Sequence, residues 1–166
     1  IKLKENDEEI FRIHFYHGEP FNGSANRPIS GEQFNFGENP IVRYSKELNK
    51  ELARKDYMAL RMGESVFRGW KLKDQTIDRL KHEYKEHIPL TDQDFKPEID
   101  QKGVDIRIGL DVAWVASKGF VDRIILVTGD SDFIPAMKYA RKEGIQVVLC
   151  KVGPKAIKES LYEHSD

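Results

Sequence analysis

The sequence has little of what marks secreted, membrane-bound or fibrous proteins. Its 166 residues include one cysteine, 12 glycines and 7 prolines, which excludes an internal disulfide framework, a cysteine-rich zinc site and a collagen-like or low-complexity chain. The longest apolar runs, such as Ile124–Val127, are far shorter than the roughly 20 residues of a membrane helix. The charged segment Ile1–Glu9 is unlike a signal peptide. We therefore expect a soluble cytoplasmic protein that has no membrane partner.

The chain also lacks an excess of either charge. Lys and Arg number 27 against 28 for Asp and Glu, a formal net charge of −1. A whole-molecule basic field of the kind that draws a protein onto nucleic acid is therefore excluded. The length is that of one ordinary domain, and we expect residues 1–166 to form a single one.

The first two-thirds of the chain predict a mixture of short elements. Apolar periodicity, β-branched residues and glycine or proline breakers define them. In order, we expect a strand at Ile10–Tyr16, a loop at Phe21–Pro40, a helix at Ile41–Lys55, a solvent-facing hairpin within Tyr57–Lys73 that bends at Gly63 or Gly69, a helix carrying Ile77, Leu80, Tyr84 and Ile88, and an acidic linker containing Asp92, Asp94, Glu98 and Asp100.

The last third predicts a parallel α/β unit. Val104–Ser117 is apolar nearly all round, which is typical of a deeply packed helix. Arg123–Thr128 and Gln146–Val152 are continuous apolar runs, as expected of strands buried on both faces. Between them, Phe133–Glu143 should form a helix that ends at Gly144. Strand, helix and strand in this order form a right-handed unit of a parallel sheet.

Acidic residues follow the first of these strands. In open parallel sheets, ligands bind beyond the carboxyl ends of the strands, and Asp130 and Asp132 lie directly after Arg123–Thr128. One alternative is that Asp132 or Ser131 only caps the following helix. A cap explains one carboxylate and leaves Asp130 without a role.

Two more aspartates lie on the preceding helix. Asp105 opens it, where a carboxylate also favours the positive end of the helix dipole. Asp111 lies among apolar residues, where an ionised carboxylate needs a partner or a metal. An ion pair with Arg107 or Arg123, or an exposed helix edge, remains the alternative. Six residues separate the two aspartates, so they lie about 120° apart around the helix and are poorly placed to bind one ion symmetrically.

A cluster of oxygen ligands of this kind favours a hard cation, Mg²⁺ or Mn²⁺. Such ions neutralise developing charge on phosphates and orient an attacking water. The residues alone therefore predict metal-assisted phosphoryl chemistry and leave the substrate open.

The motifs QKGVD at Gln101–Asp105 and LVTGDSDF at Leu126–Phe133, with Asp111 between them, together resemble the NYN domain of the LabA/DUF88 type. That family belongs to the PIN-like nuclease superfamily. The resemblance continues through Pro135, Gly144, the strand QVVLCKV and Leu161–Asp166, and IFRIHFYHGEPF is similar to the family's second strand.

The resemblance implies a Rossmann-like, three-layer α/β/α sandwich with a mainly parallel sheet. It also implies a metal site made by Asp105, Asp130 and Asp132, with Asp111 as a fourth catalytic residue. Substrate-binding positions are Thr128, Ser131 and Lys102. The candidate partners are RNA, single-stranded or structured, and a second copy of the chain.

The sequence departs from the family pattern at its start. The family begins with a central apolar strand that ends in an aspartate, and the polar segment IKLKENDEE is nothing like it. We expect the native first and last strands to lie outside these 166 residues. If the aspartate is absent altogether, binding becomes the better interpretation.

Two functions therefore stand, a metal-dependent endoribonuclease and a catalytically inactive NYN module that binds RNA or a regulatory protein. A phosphatase of the haloacid dehalogenase type is a distant third, because its upstream DxDx[TV] motif does not occur. Six Lys or Arg between Phe133 and Ser160, and Trp70 amid Arg68, Lys71 and Lys73, are a weak signal for RNA. We expect His14, His17 and the core residue Cys150 to be structural.

Overall fold

A computed structural model describes residues 7–82, 89–153 and 157–166 of the chain. The architecture is mixed α/β, and the chain divides into two compact units. The C-terminal unit holds the described residues of 1–16, 55–61 and 103–166, and the central unit holds those of 17–54 and 62–102. In the part of the chain that the structure describes, no helix has the length and hydrophobicity needed to span a membrane.

The C-terminal unit contains the predicted parallel pair of strands. Strands β6 (Arg123–Val127) and β7 (Gln146–Cys150) pair in parallel, in a register that places Ile125 opposite Val148. Helix α4 (Ile134–Lys142) connects them. The predicted strand, helix and strand are confirmed, but the expectation that both strands are buried on both faces is wrong for β6, which has no fully buried residue and in which Val127 is 53% exposed. Gly144 follows the helix with a φ of +85°, a conformation that glycine adopts without strain.

The core of this unit lies between two helices and β7. Helix α3 (Val104–Lys118) packs against α4, and helix α5 (Glu159–Tyr162) contributes the fully buried Leu161. The buried set is Ala116, Met137, Ala140, Ile145, Val147 and Leu161. Beyond α5, Asp166 is bound to β7 by two hydrogen bonds. Its backbone N–H donates to the carbonyl of Val147, and its carboxylate accepts from the N–H of Val147.

Helix α3 forms where the sequence predicts it, but the prediction that it is deeply packed is wrong. Val115 and Ala116 are buried, whereas Ile106, Leu110 and Trp114 are exposed. Apolar residues all round a helix indicate that any side can be buried and do not say which side meets a neighbour.

The predicted hairpin and acidic linker are both wrong. Residues Met58–Leu72 form one long strand, β4, and Phe95–Lys102 form strand β5, which pairs antiparallel with it. Strand β1 (Ile13–Gly18) follows the predicted strand with a shift toward the C-terminus, and the order is β1-β4-β5. The register shifts between Phe67 and Gly69, where Gly69 has a φ of +127°, so this glycine makes a bulge and not a turn.

The predicted loop at Phe21–Pro40 contains a small hairpin. Strands β2 (Ser24–Asn26) and β3 (Gln33–Asn35) pair antiparallel, and a 3-10 turn follows them at Phe36–Glu38. These strands are too short to give a periodic signal, and they are held by aromatic packing with distant residues. The rings in contact are those of Phe21, Phe34, Phe36, Phe67 and Trp70.

The two predicted helices of the central unit are confirmed. Helix α1 (Pro40–Leu52) begins where the Asn39 side chain accepts a hydrogen bond from the backbone N–H of Ile41, as expected of an N-cap residue. Helix α2 (Asp74–His82) carries Ile77 and Leu80. The other two positions of its predicted stripe, Tyr84 and Ile88, lie outside the described residues.

Candidate functional site

The loop after β6 is held by two side-chain hydrogen bonds. The backbone N–H of Asp130 donates to Thr128 Oγ1 at 3.1 Å, and that of Asp132 donates to Asp130 Oδ1 at 3.0 Å. A 3-10 turn at Ser131–Phe133 follows, anchored by the buried ring of Phe133. The loop is therefore fixed in place while the carboxylates of Asp130 and Asp132 stay exposed.

Capping explains one of these carboxylates, but not the one expected. The cap is Asp130, so the alternative in which Asp132 or Ser131 caps is wrong. Helix α4 itself follows Phe133, which makes no side-chain cap. One oxygen of Asp130 is used by the turn, and the side chain of Asp132 has no hydrogen-bond or ion-pair partner among the described residues.

A cation lies beside this turn. Lys158 Nζ donates to Ser131 Oγ at 3.0 Å, which brings a positive charge from the start of α5 to the acidic loop. Sequence reasoning counted Lys158 only as one of six basic residues, because a contact across 27 residues leaves no local pattern.

Asp105 lies in the first turn of α3, the helix that packs against the 3-10 turn. Its side chain is exposed and has no hydrogen-bond or ion-pair partner in the part of the chain that is described. Its role as a metal ligand therefore stays a prediction. The first turn of a helix is also electrostatically favourable for a carboxylate.

Asp111 is bound by two groups that the sequence did not indicate. Arg61 Nε lies 2.9 Å from Asp111 Oδ2, Arg61 Nη2 donates to Oδ1 at 3.1 Å, and the Tyr16 hydroxyl donates to Oδ2 at 2.9 Å. The cation that pairs with Asp111 is thus the guanidinium of Arg61 on β4, and not Arg107 or Arg123 as the sequence suggested. This carboxylate, whose side chain is 17% exposed, is satisfied without a metal.

Burial and the contacts with Asp111 also shift the pKa values of Tyr16 and His14. Burial, followed by the hydrogen bond to Asp111, raises the pKa of Tyr16, so its hydroxyl stays a donor. Burial lowers the pKa of His14, whose Nδ1 lies 3.3 Å from the Tyr16 hydroxyl, although the Asp111 charge acts in the opposite direction. Both groups are neutral at pH 7, which is consistent with a structural role.

The predicted substrate-binding residues fall in different places. Thr128 and Ser131 both lie on the loop after β6, where each hydroxyl accepts one of the hydrogen bonds described above. Lys102 is exposed and ends β5 in the central unit. The structure thus brings two of the three to the acidic loop.

The carboxylate oxygens of these aspartates are the type of ligand that a hard cation prefers, although the described ones do not surround a common point. Among the described residues, no three His, Cys, Asp or Glu side chains converge on one point. Mg²⁺ does not need three convergent side chains, because it is commonly held by one or two carboxylates while water and substrate phosphates complete its octahedron. The exposed carboxylates of Asp130 and Asp132 fit that mode, and Asp105 lies on a helix that packs beside them.

Some of the basic residues are held in ion pairs within a sheet, and others line an open groove where they could contact RNA. Arg68 and Lys71 on β4 pair with Asp100 and Glu98 on β5, and the indole of Trp70 donates to the carbonyl of Asn26. This patch is therefore part of the sheet and a weak candidate for RNA. In contrast, Lys138, Arg141 and Lys142 line an open groove of about 630 Å³ at the end of α4, where Arg141 also pairs with Asp166.

Comparisons with known proteins give one family. A family model described as the NYN domain matches residues 39–166. An uncharacterized protein of Methanocaldococcus jannaschii is 32% identical over 62 residues, which are 37% of this chain and 26% of that protein. The aligned region thus spans about a quarter of the length of that relative. No solved structure matches the chain significantly.

Proposed function

Because the chain belongs to the NYN domain family, we propose that it is a metal-dependent endoribonuclease of the PIN-like superfamily, close to the LabA/DUF88 type. On this proposal residues 1–166 belong to a single NYN domain of Rossmann-like, three-layer type, and the match over residues 39–166 includes parts of both units. The buried, unpaired thiol of Cys150 suits a reducing compartment, and we propose the cytoplasm.

The observation that carries the proposal is the pair of exposed carboxylates at the carboxyl end of β6. Asp130 and Asp132 follow a strand of a parallel pair, at the edge where α/β proteins bind their ligands. A cap requires only one oxygen of Asp130, so the second carboxylate has no structural explanation among the described contacts.

We assign Asp130, Asp132 and Asp105 as the residues that would hold Mg²⁺ or Mn²⁺. Bound there, the ion would neutralise charge on the scissile phosphate and supply a more acidic water. The chain's own contribution is to fix the backbone of the loop and the carboxylate of Asp130 through the Thr128 and Asp130 hydrogen bonds, so that little reorganisation of the loop is needed when substrate binds.

RNA is the proposed substrate, and four side chains are assigned to it. Lys158 supplies a positive charge beside Ser131, and the hydroxyls of Ser131 and Thr128 offer further hydrogen bonds. Lys102 would contact RNA from the end of β5. Asp111 would act only in support, because its carboxylate is already bound by Arg61 and Tyr16.

Replacing one atom of Asp130 tests the proposal. Asp130→Asn removes the charge and keeps the cap, since asparagine caps as well as aspartate. We expect metal-dependent cleavage of a fluorescent RNA to fall by at least about 100-fold, the scale of losing one electrostatic catalytic group. The matched control is Asp122→Asn, an exposed aspartate just before β6 at the opposite end of the same strand.

Each variant is assayed in Mg²⁺, in Mn²⁺ and in chelator. The proposal predicts cleavage by wild type and Asp122→Asn in either metal, and cleavage at least about 100-fold slower by Asp130→Asn. Unchanged cleavage by Asp130→Asn would remove this aspartate from the site. Cleavage that persists in chelator would show that the activity does not depend on the metal.

The second candidate is a catalytically inactive NYN module that binds RNA or a regulatory protein. It is favoured by one observation, that no three acidic or imidazole side chains converge within the described ranges. On this alternative the RNA binds in chelator as well as in metal, and neither the wild type nor any variant cleaves it.

A further inference from the structure

Helix α3 carries a row of large apolar side chains on a face that contacts nothing in its own unit's core. Ile106, Leu110 and Trp114 lie at i, i+4 and i+8, and they are 66%, 63% and 50% exposed. The core-facing residues Val112 and Ala116 lie on the other side of the helix, because successive residues turn by 100°. The exposed row therefore forms a ridge that points away from the core.

A groove of small residues runs beside this ridge. Gly109, Ala113 and Ser117 repeat with the same spacing of four, so they form the neighbouring i±4 row on the same helix. A Cβ atom at Gly109 would meet no other atom within 4 Å. The groove is open along the side of the ridge.

Two phenylalanines extend the ridge beyond the helix. The ring of Phe120 lies 5.2 Å from that of Trp114 and 5.7 Å from that of Phe11. Both phenylalanines are about half exposed. The five side chains thus form one continuous apolar patch in the C-terminal unit, and neither the ridge nor the groove on α3 contains a charged residue.

We propose that this face of α3, the ridge Ile106-Leu110-Trp114 with the groove Gly109-Ala113-Ser117, binds the same face of a second copy of the chain. A two-fold interface uses one surface twice, so that surface must be complementary to itself. The α3 face meets this condition because it carries both a ridge and a groove. The ridge of each copy packs into the groove of the other, as in the commonest class of helix crossing.

The size of the patch agrees with a homodimer. A half-exposed large apolar side chain presents roughly 100 Å², so the five present roughly 500 Å². A standard interface buries about 800 Å² on each partner, of which about 65% is apolar in homodimers. The patch therefore supplies about the apolar area that one side of such an interface needs, with a charge-free centre.

The test measures self-association by sedimentation equilibrium over a wide range of protein concentration. Wild type should form a dimer that dissociates on dilution. Leu110→Glu places a charge at the centre of the ridge, and we expect it to raise the dimer dissociation constant by more than about thirtyfold. The matched control is Ile41→Glu, which changes a 73% exposed isoleucine on α1 and should leave the dimer intact.

A second variant acts on the groove alone. Gly109→Leu improves helix propensity and fills the groove, so it should weaken the dimer while circular dichroism shows undiminished helix content. A wild type that stays monomeric at every concentration would overturn the proposal. So would a dimer that persists unchanged in either α3 variant. Neither RNA nor metal is present, so the result is separate from that of the cleavage assay.

Discussion

The carboxylate of Asp111 accepts hydrogen bonds from the Arg61 guanidinium and the Tyr16 hydroxyl. The contact between Arg61 and Asp111 is bidentate, and such contacts are among the strongest ion pairs that side chains make. Together with the Tyr16 hydrogen bond, it joins α3 to strands β1 and β4, so we assign Asp111 mainly to stability. Asp130 differs, because its capping contact uses a single oxygen and leaves its charge exposed.

Removal of the Arg61 side chain tests this difference. Arg61→Met leaves a half-buried carboxylate without its cation, and we expect the free energy of unfolding to fall by about 1–3 kcal/mol. Asp111→Asn should cost a similar amount. The double variant should cost less than the sum of both, because the two residues share one interaction. Urea denaturation gives all three values.

The matched control is Arg107→Met, which removes an exposed arginine from α3 and should change stability by less than about 0.5 kcal/mol. A strong loss of RNA cleavage in Arg61→Met, without loss of stability, would contradict the structural assignment and place Asp111 in the catalytic set.

At the scale of single residues, the sequence identified charged groups but not their partners. Asp130, Asp132, Asp105 and Asp111 were all recognisable from their positions relative to predicted elements. The contacts that separate their roles, such as Arg61 with Asp111, join residues 50 apart in the chain. No spacing rule specifies such a pair, because it depends on how β4 and α3 pack.

At the scale of elements, the sequence predicted best where apolar residues are continuous. Strands β6 and β7 are such runs and form the expected parallel pair, although only Val147 and Cys150 on β7 are buried and no residue of β6 is. Strand β4 interrupts its apolar residues with charged ones and β5 is largely polar, and their pairing is supported by ion pairs such as Arg68–Asp100. The polar segment Phe95–Lys102 thus has the composition of a linker and the structure of a strand.

Helix α4 gives a prediction about RNA binding. Lys138 and Lys142 line the open groove at its end, and each is expected to neutralise one phosphate. Lys138→Gln and Lys142→Gln should each weaken binding of a single-stranded RNA and reduce the slope of log affinity against log salt by about 0.7. Fluorescence anisotropy at several salt concentrations measures both quantities.

The control for this prediction is Lys118→Gln, an exposed lysine in the last turn of α3. It should leave the salt slope unchanged. If all three variants reduce the slope equally, RNA binding would depend on overall charge and the groove would have no special role.

At the scale of the whole molecule, the net charge of −1 conceals a partition within the C-terminal unit. Acid lies at Asp105, Asp130 and Asp132, and base lines the groove at the end of α4. A divalent ion at the acidic loop would offset charge that otherwise repels phosphate. We therefore expect RNA to bind weakly without metal, and the ion to be required for binding as well as for cleavage.

The most direct test of the account is to locate the divalent ion. We predict that substoichiometric Mn²⁺, followed by NMR, broadens the backbone amides of Gly129–Phe133 and of the first turn of α3 most strongly. Chelator should restore them, and Asp130→Asn should abolish the effect. Strongest broadening elsewhere, for example along β5, or the same broadening in Asp130→Asn, would contradict a metal site at the carboxyl end of β6.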